Sequence, residues 1–108
     1  MTVMELYKLI EEHYGYKIQM RGLNSSTQEV FGVLYESFLL KCNLDDRYGM
    51  FGGAIEIAEG QVISHFLGEK CSLNGDEKSI KESLDIIDNY CRLRLPDKFL
   101  EAYDKAYR

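Results

Sequence analysis

The order of apolar and polar residues predicts four helices around one glycine-rich stretch. Thr2 and Glu5 form a capping box ahead of apolar positions that recur at helical spacing, which indicates a first helix over Thr2–Tyr14. Gly15 then offers the left-handed conformation in which helices commonly end. The segment 16–24 is short and mixed in character, so we expect it to be irregular.

The second predicted helix, Val30–Cys42, is apolar almost all round. A capping-box pattern, Ser26-Thr27-Gln28-Glu29, precedes it, and Asn43 can end it. A buried strand is the competing interpretation, but the length of the segment and the cap favour a helix. Because a helix without a polar face is usually the buried one, we expect this segment at the centre of the core.

Residues 45–68 differ from the rest of the chain, since five glycines punctuate them and their apolar runs are short and β-branched. Ala54–Ala58 and Gln61–Leu67 flank Glu59-Gly60, which predicts a β-hairpin with a two-residue turn. Two strands alone are marginal in water. The hairpin must therefore pack on the helices or gain a third strand, which Asp46–Phe51 could supply.

The last third predicts two more helices. Asn74-Gly75-Asp76 forms a turn before a helix over Glu77–Leu93, and Pro96 ends that helix and begins a fourth. The apolar positions of the third helix share one side: Ile80, Leu84, Ile87 and Cys91. The predicted fold class is α+β, a helix-rich single domain over residues 1–108. It has about four helices and one small antiparallel β-hairpin or three-stranded sheet.

Composition and charge narrow the class of protein. The chain has 108 residues, 45% hydrophobic and 29% charged, with one proline, as is typical of an ordered globular domain. No apolar run approaches the roughly 18 residues that span a bilayer, and no signal peptide is evident, so we expect a cytoplasmic protein without membrane contact. A net charge of −5 argues against direct nucleic-acid binding and favours a basic partner.

Candidate catalytic residues are few. The histidines and cysteines are widely spaced: His13, His65, Cys42, Cys71 and Cys91. A Cys–His nucleophilic pair needs an accessible thiol in an electropositive setting, whereas cysteines on apolar helix faces behave as small buried hydrophobic residues. The spacing fits no zinc site, and the glycines of 48–53 form no P-loop or dinucleotide motif. We therefore predict no catalytic residue, no metal and no cofactor, and rank an enzyme behind a binding protein.

Eight tyrosines and no tryptophan favour an interface, since tyrosine offers an apolar ring with a polar tip. Three fall within helical apolar faces and are expected at the edge of the core: Tyr35, Tyr90 and Tyr103. Three lie beside glycines or turns and are expected to be exposed: Tyr14, Tyr16 and Tyr48.

Two segments resemble small immunity proteins of bacterial contact-dependent growth inhibition systems. One is Ser79–Pro96 (SIKESLDIIDNYCRLRLP), followed by Phe99, Leu100 and Tyr103, and the other is Tyr48–Gly53 (YGMFGG). The resemblance implies a cytosolic, non-enzymatic protein that binds the C-terminal toxin domain of a delivered effector, and covers or distorts its active site. Such toxins are often basic nucleases. Because partner-facing surfaces vary most among these proteins, the resemblance assigns no binding residue.

Charge complementarity gives that implied 1:1 complex a physical basis. A nuclease carries cations to grip phosphate, so an inhibitor can present carboxylates to the same sites, which speeds association. The toxin-binding residues we predict lie in the irregular and hairpin region: Asp45, Asp46, Tyr48, Glu56, Glu59 and Glu69. The row Glu82, Asp85 and Asp88 is the alternative surface. The alternative function is a small acidic adaptor or regulatory subunit that acts by protein–protein binding.

Overall fold

The computed structural model describes residues 1–45, 50–58, 61–63, 65–66, 69–70 and 75–107, and the side chains of 1–44, 50–56 and 75–107. Within these residues the chain forms a first helix, a run of antiparallel strands and two further helices. No helix in the described part of the chain is long and apolar enough to cross a membrane.

The first helix, α1, spans Val3–Tyr14 and confirms the predicted capping box. The Thr2 hydroxyl accepts a hydrogen bond from the Glu5 amide at 3.1 Å, and the Glu5 carboxylate accepts one from the Thr2 amide at 3.3 Å. Gly15, at φ 55°, ends the helix, and a short 3₁₀ turn, Gly15–Lys17, leads into the sheet. A glycine suits this point because left-handed backbone costs it little.

Five strands follow one another in a meander, so that each pairs with the next in antiparallel order. They are β1 (Ile18–Asn24), β2 (Glu29–Leu34), β3 (Phe38–Asp45), β4 (Met50–Ala58) and β5 (Gln61–Ile63). Two short strands, β6 (His65–Phe66) and β7 (Glu69–Lys70), form a separate pair.

The predicted helix over Val30–Cys42 is wrong, because this segment forms β2, a tight turn and β3. Leu34 pairs with Phe38 and Val30 with Cys42, which folds the segment back on itself. Its apolar residues therefore divide between two faces of a sheet instead of surrounding a helix. Segment 16–24, expected to be irregular, contains β1.

These differences overturn the predicted fold of four helices with a hairpin or three-stranded sheet. In the described residues we find three α-helices and a five-stranded sheet. The predicted strand Ala54–Ala58 belongs to a longer β4, and β5 pairs with it through Glu56 and Val62. The proposed turn residues, Glu59 and Gly60, lie outside the described residues.

Helix α2 spans Glu77–Arg94, and α3 spans Asp97–Tyr107. The Asp76 carboxylate caps α2 by accepting a hydrogen bond from the Ser79 amide at 3.1 Å. The predicted apolar side of α2 is confirmed, since four of its residues are fully buried: Ile80, Leu84, Ile87 and Cys91.

The helices cover one face of the sheet. Helix α1 packs on β1 and β2, and α2 packs on β4. A Cβ atom at Gly53 would lie 3.2 Å from Ile87 Cδ1, so the glycine allows α2 to approach the strand closely. Between the layers lie the inward-facing strand residues: Ile18, Val30, Leu34, Phe38, Leu40, Cys42, Leu44, Phe51 and Ile55.

Candidate functional site

The face of the sheet opposite the helices, called here the open face, is the strongest candidate for a binding surface. Strand alternation and pairing place seven residues of β2, β3 and β4 on it: Phe31, Val33, Leu39, Lys41, Asn43, Ala54 and Glu56. Leu39 is 39% exposed, and Met50, at the start of β4, is 37% exposed. Apolar side chains mixed with charges are typical of protein interfaces.

Specific contacts order the centre of the open face. Lys41 Nζ lies 2.7 Å from Glu29 Oε2 and 6.0 Å from the centre of the Phe31 ring. The hydrogen bond from Lys41 lowers the pKa of Glu29, which therefore keeps its charge at neutral pH. A Cβ atom at Gly52 would lie 2.5 Å from Asn43 Oδ1, so the glycine leaves room for the amide.

The structure places three of the six predicted toxin-binding residues. Asp45 ends β3, where it pairs with Met50, and Glu56 pairs with Leu39 at the other end of the same ladder. Six residue steps separate these pairs along β3, which corresponds to about 20 Å. Glu69 lies in β7, in the separate two-stranded sheet. Asp46, Tyr48 and Glu59 lie outside the described residues.

Asp45 and Glu56 therefore share a hairpin without forming one compact acidic site. The Glu56 side chain is partly buried on the open face. Its position next to Leu39 gives the open face an apolar side chain beside a carboxylate.

The alternative row, Glu82, Asp85 and Asp88, does not form one surface. Glu82 is exposed, and the Asp85 side chain is 71% exposed and lies 2.7 Å from His13 Nε2. Asp88 is only 15% exposed and lies 2.9 Å from Lys17 Nζ. Six residues turn an α-helix by about 600°, which leaves Asp88 on a different side from Glu82.

A groove of about 530 Å³ lies between α1 and the beginning of α2. Its lining mixes both signs of charge: Glu5, Lys8, Glu12, His13, Glu77 and Lys81, with Met1 and Leu9 as apolar members. Glu77 pairs with Lys81 at 3.0 Å, and Glu5 serves the cap of α1. The groove therefore favours no single sign of ligand charge.

Buried polar groups meet where α2 approaches the turn between β2 and β3. Tyr35 is fully buried, its hydroxyl donates to Asp88 Oδ1, and it accepts a hydrogen bond from Arg92 at 3.2 Å. Burial, and then the hydrogen bond to Asp88, raise the pKa of Tyr35, so the phenol stays protonated. Lys17 donates a hydrogen bond to the other oxygen of Asp88. The positive charges of Lys17 and Arg92 therefore compensate the negative charge of the Asp88 carboxylate.

The thiols that the structure describes, Cys42 and Cys91, are buried and form no disulfide. Burial, with the nearby charge of Asp88, raises the pKa of Cys91 to about 12. A thiol with this pKa stays protonated at neutral pH, so Cys91 is not an activated nucleophile. Within the described residues, no three His, Cys, Asp or Glu side chains are grouped to hold a metal ion.

The structure confirms some of the predictions about tyrosine burial and contradicts others. Tyr90 and Tyr103 are buried on α2 and α3, as expected, whereas Tyr35 is buried in the turn between β2 and β3 and not on a helix. Tyr14 was expected to be exposed, but it is 3% exposed and donates a hydrogen bond to the Leu84 carbonyl at 2.6 Å. Tyr16 is partly buried and donates to Asp104 at 2.9 Å.

The sequence analysis does not find the open face, because it places Phe31, Val33 and Leu39 in a buried helix. The sequence does carry a signal for it: Leu40, Cys42 and Leu44 alternate with polar residues. That alternation is the pattern of a half-buried strand. Comparison with known proteins adds no assignment, since no family model, curated protein or solved structure matches this chain.

Proposed function

We propose that this protein binds and neutralises a basic toxin domain, as a cytoplasmic immunity protein of a contact-dependent growth inhibition system. The observation that carries the proposal is the open face, where Leu39 is exposed beside Glu56 and Met50 is exposed at the opposite end of the β3–β4 ladder. The resemblance of Ser79–Pro96 to immunity proteins supplies the class of partner.

The open face would dock on the toxin through its apolar side chains, and the charges between and beside them would orient the complex. Apolar area provides most of the affinity of such interfaces, while complementary charge mainly speeds association and fixes orientation. The net charge of −5 suits a partner that carries cations for phosphate.

Co-expression with the C-terminal domain of the protein that the preceding gene encodes tests the proposal. We expect the cells to survive and the two chains to co-purify as a 1:1 complex. Leu39→Lys replaces an exposed apolar side chain of the open face with a cation and should abolish both survival and complex. Leu93→Lys is the matched control, because Leu93 is 66% exposed near the end of α2 and should tolerate the change. Death of cells that make the wild-type protein, or equal effects of both variants, would contradict the proposal.

The second candidate is a small acidic adaptor that self-associates through the same face. The exposed Leu39 and Met50 favour it, since uncovered apolar residues on a sheet also suit a homodimer. The molar mass in solution would then rise with protein concentration in the absence of any toxin. Leu39→Lys would hold the protein at the mass of one chain.

A further inference from the structure

The turn between β2 and β3 has an unusual backbone. Tyr35, at φ 53°, and Glu36, at φ 56°, are consecutive non-glycine residues in the left-handed region. Hairpin turns of this hand normally use asparagine and glycine, which adopt that conformation at little cost. The local sequence therefore does not favour the turn that the chain makes.

Contacts from outside the hairpin hold both residues in place. The Tyr35 amide donates to the Lys17 carbonyl at 2.9 Å, and its hydroxyl bonds to Asp88 and Arg92 of α2. The Glu36 carboxylate accepts a hydrogen bond from Tyr107, at the end of α3. Strained backbone persists where the surrounding structure fixes it, as these contacts do here.

Helix α3 depends on the same contacts. Leu100 and Tyr103 are its buried residues, and Phe99 is partly buried against the core, so only these three side chains provide its apolar anchorage. The Tyr103 ring packs edge-on against Tyr35, with 5.4 Å between ring centres. Polar contacts complete the attachment: Tyr103 to the Tyr16 carbonyl, Tyr16 to Asp104, and Tyr107 to Glu36.

We infer that the left-handed turn and the docking of α3 stabilise each other, so that the two open together while α1 and the rest of the sheet stay folded. We call this unit, formed by Tyr35, Glu36 and α3, the turn latch. The coupling is reciprocal by thermodynamic necessity. A contact between α3 and the turn stabilises the docked helix and the left-handed turn by the same free energy. Partial openings of this kind are a general property of folded proteins.

Hydrogen exchange of the full-length protein, followed by mass spectrometry or NMR, tests the turn latch. Tyr107→Phe removes only the hydroxyl that donates to Glu36, and Tyr107 is 46% exposed, so the variant should fold. We expect exchange to accelerate about threefold or more in α3 and at the amides of residues 35–38, and to stay unchanged in α1 and β4. Tyr7→Phe, on α1, is the matched control and should change neither region.

A second variant, Glu36→Gly, distinguishes coupling between the turn and α3 from a general loss of stability in both. Glycine relieves the left-handed backbone but removes the partner of Tyr107. The turn amides should therefore exchange at the wild-type rate or more slowly, while α3 exchanges faster. Acceleration confined to α3 in Tyr107→Phe would overturn the inference, because the helix would then fray independently of the turn. Unchanged exchange of α3 in Glu36→Gly would overturn it as well.

Discussion

Cys91 and Tyr35 are two buried acids that the fold keeps protonated. Burial and the charge of Asp88 raise the pKa of Cys91 from 9.0 to about 12, and burial with the hydrogen bond to Asp88 raises the pKa of Tyr35. In the unfolded chain both groups ionise at lower pH. The contribution of these two groups to the free energy of unfolding is therefore complete at pH values below their pKa in the unfolded chain. It is lost as the pH rises through their pKa in the folded protein.

The free energy of unfolding should consequently fall from about pH 9 upward. One group of this kind contributes a slope of roughly 1.4 kcal/mol per pH unit between its unfolded and folded pKa values. Urea titrations between pH 7 and 11 should show a flatter decline for Cys91→Ala than for the wild type. Leu84→Ala is the control, since it should lower stability without changing the slope. An unaltered slope in Cys91→Ala would contradict the prediction.

Gly32 shows how a single missing Cβ permits the packing of β1 on β2. A Cβ atom there would lie 2.7 Å from Ile18 Cδ1, inside van der Waals contact. We expect Gly32→Ala to lower the free energy of unfolding by about 1–3 kcal/mol, as overpacked cores do. Ile18→Val removes Cδ1, the nearest atom, and leaves Cγ1 at 3.0 Å.

The double variant, Ile18→Val with Gly32→Ala, should therefore be more stable than the sum of the two single effects indicates. Denaturation curves of the wild type, the two single variants and the double variant measure this coupling. Strict additivity would show that Ile18 Cδ1 is not the atom that opposes the alanine.

At the scale of elements, the β2–β3 hairpin is where local preference and tertiary structure disagree. Its turn contains Tyr35, Glu36 and Ser37, none of which favours a tight hairpin, and a capping-box pattern precedes Val30. Helix α1 and helix α2 present no such conflict, since cap, periodicity and burial agree in each. Tertiary contacts from Lys17, Asp88 and Tyr107 fix the conformation of this turn.

A peptide of residues 26–44 should accordingly form no hairpin in water. We expect circular dichroism to show coil, with helix on addition of trifluoroethanol. The same peptide carrying Tyr35→Asn and Glu36→Gly should gain strand signal and cross-strand nuclear Overhauser contacts, because those residues adopt the left-handed turn readily. A stable hairpin in the unmodified peptide would show that the local sequence is sufficient.

At the scale of the whole molecule, the helices and the open face divide the protein into a covered side and an uncovered side. Asp45 and Glu56 lie about 20 Å apart along the β3–β4 ladder. If both meet a basic partner, they do so at separate points. Their contributions to binding should then be independent, since distant sites rarely couple.

We expect Glu56→Lys to slow association with the proposed toxin partner several-fold at low salt, with the difference shrinking as ionic strength rises. Glu12→Lys, on the helical side, should leave the rate close to that of the wild type. Asp45→Lys combined with Glu56→Lys should add the two single effects. Stopped-flow measurements at several salt concentrations give these rates. Equal rates for Glu56→Lys and the wild type would exclude docking of Glu56 beside a cationic surface.

The sequence by itself determined α1, α2 and the helix after Pro96, because each carries its own cap or breaker and a consistent apolar face. It also predicts Asp45 and Glu56 as binding residues, which stays a prediction, but it does not give the distance between them. The alternation of Leu40, Cys42 and Leu44 with polar residues favours a strand, but tertiary structure decided where the segment turns, because the contacts that hold its left-handed turn come from residues up to 71 positions away. The open face follows from that turn, since a helix in its place would leave no sheet for Phe31, Val33 and Leu39 to share.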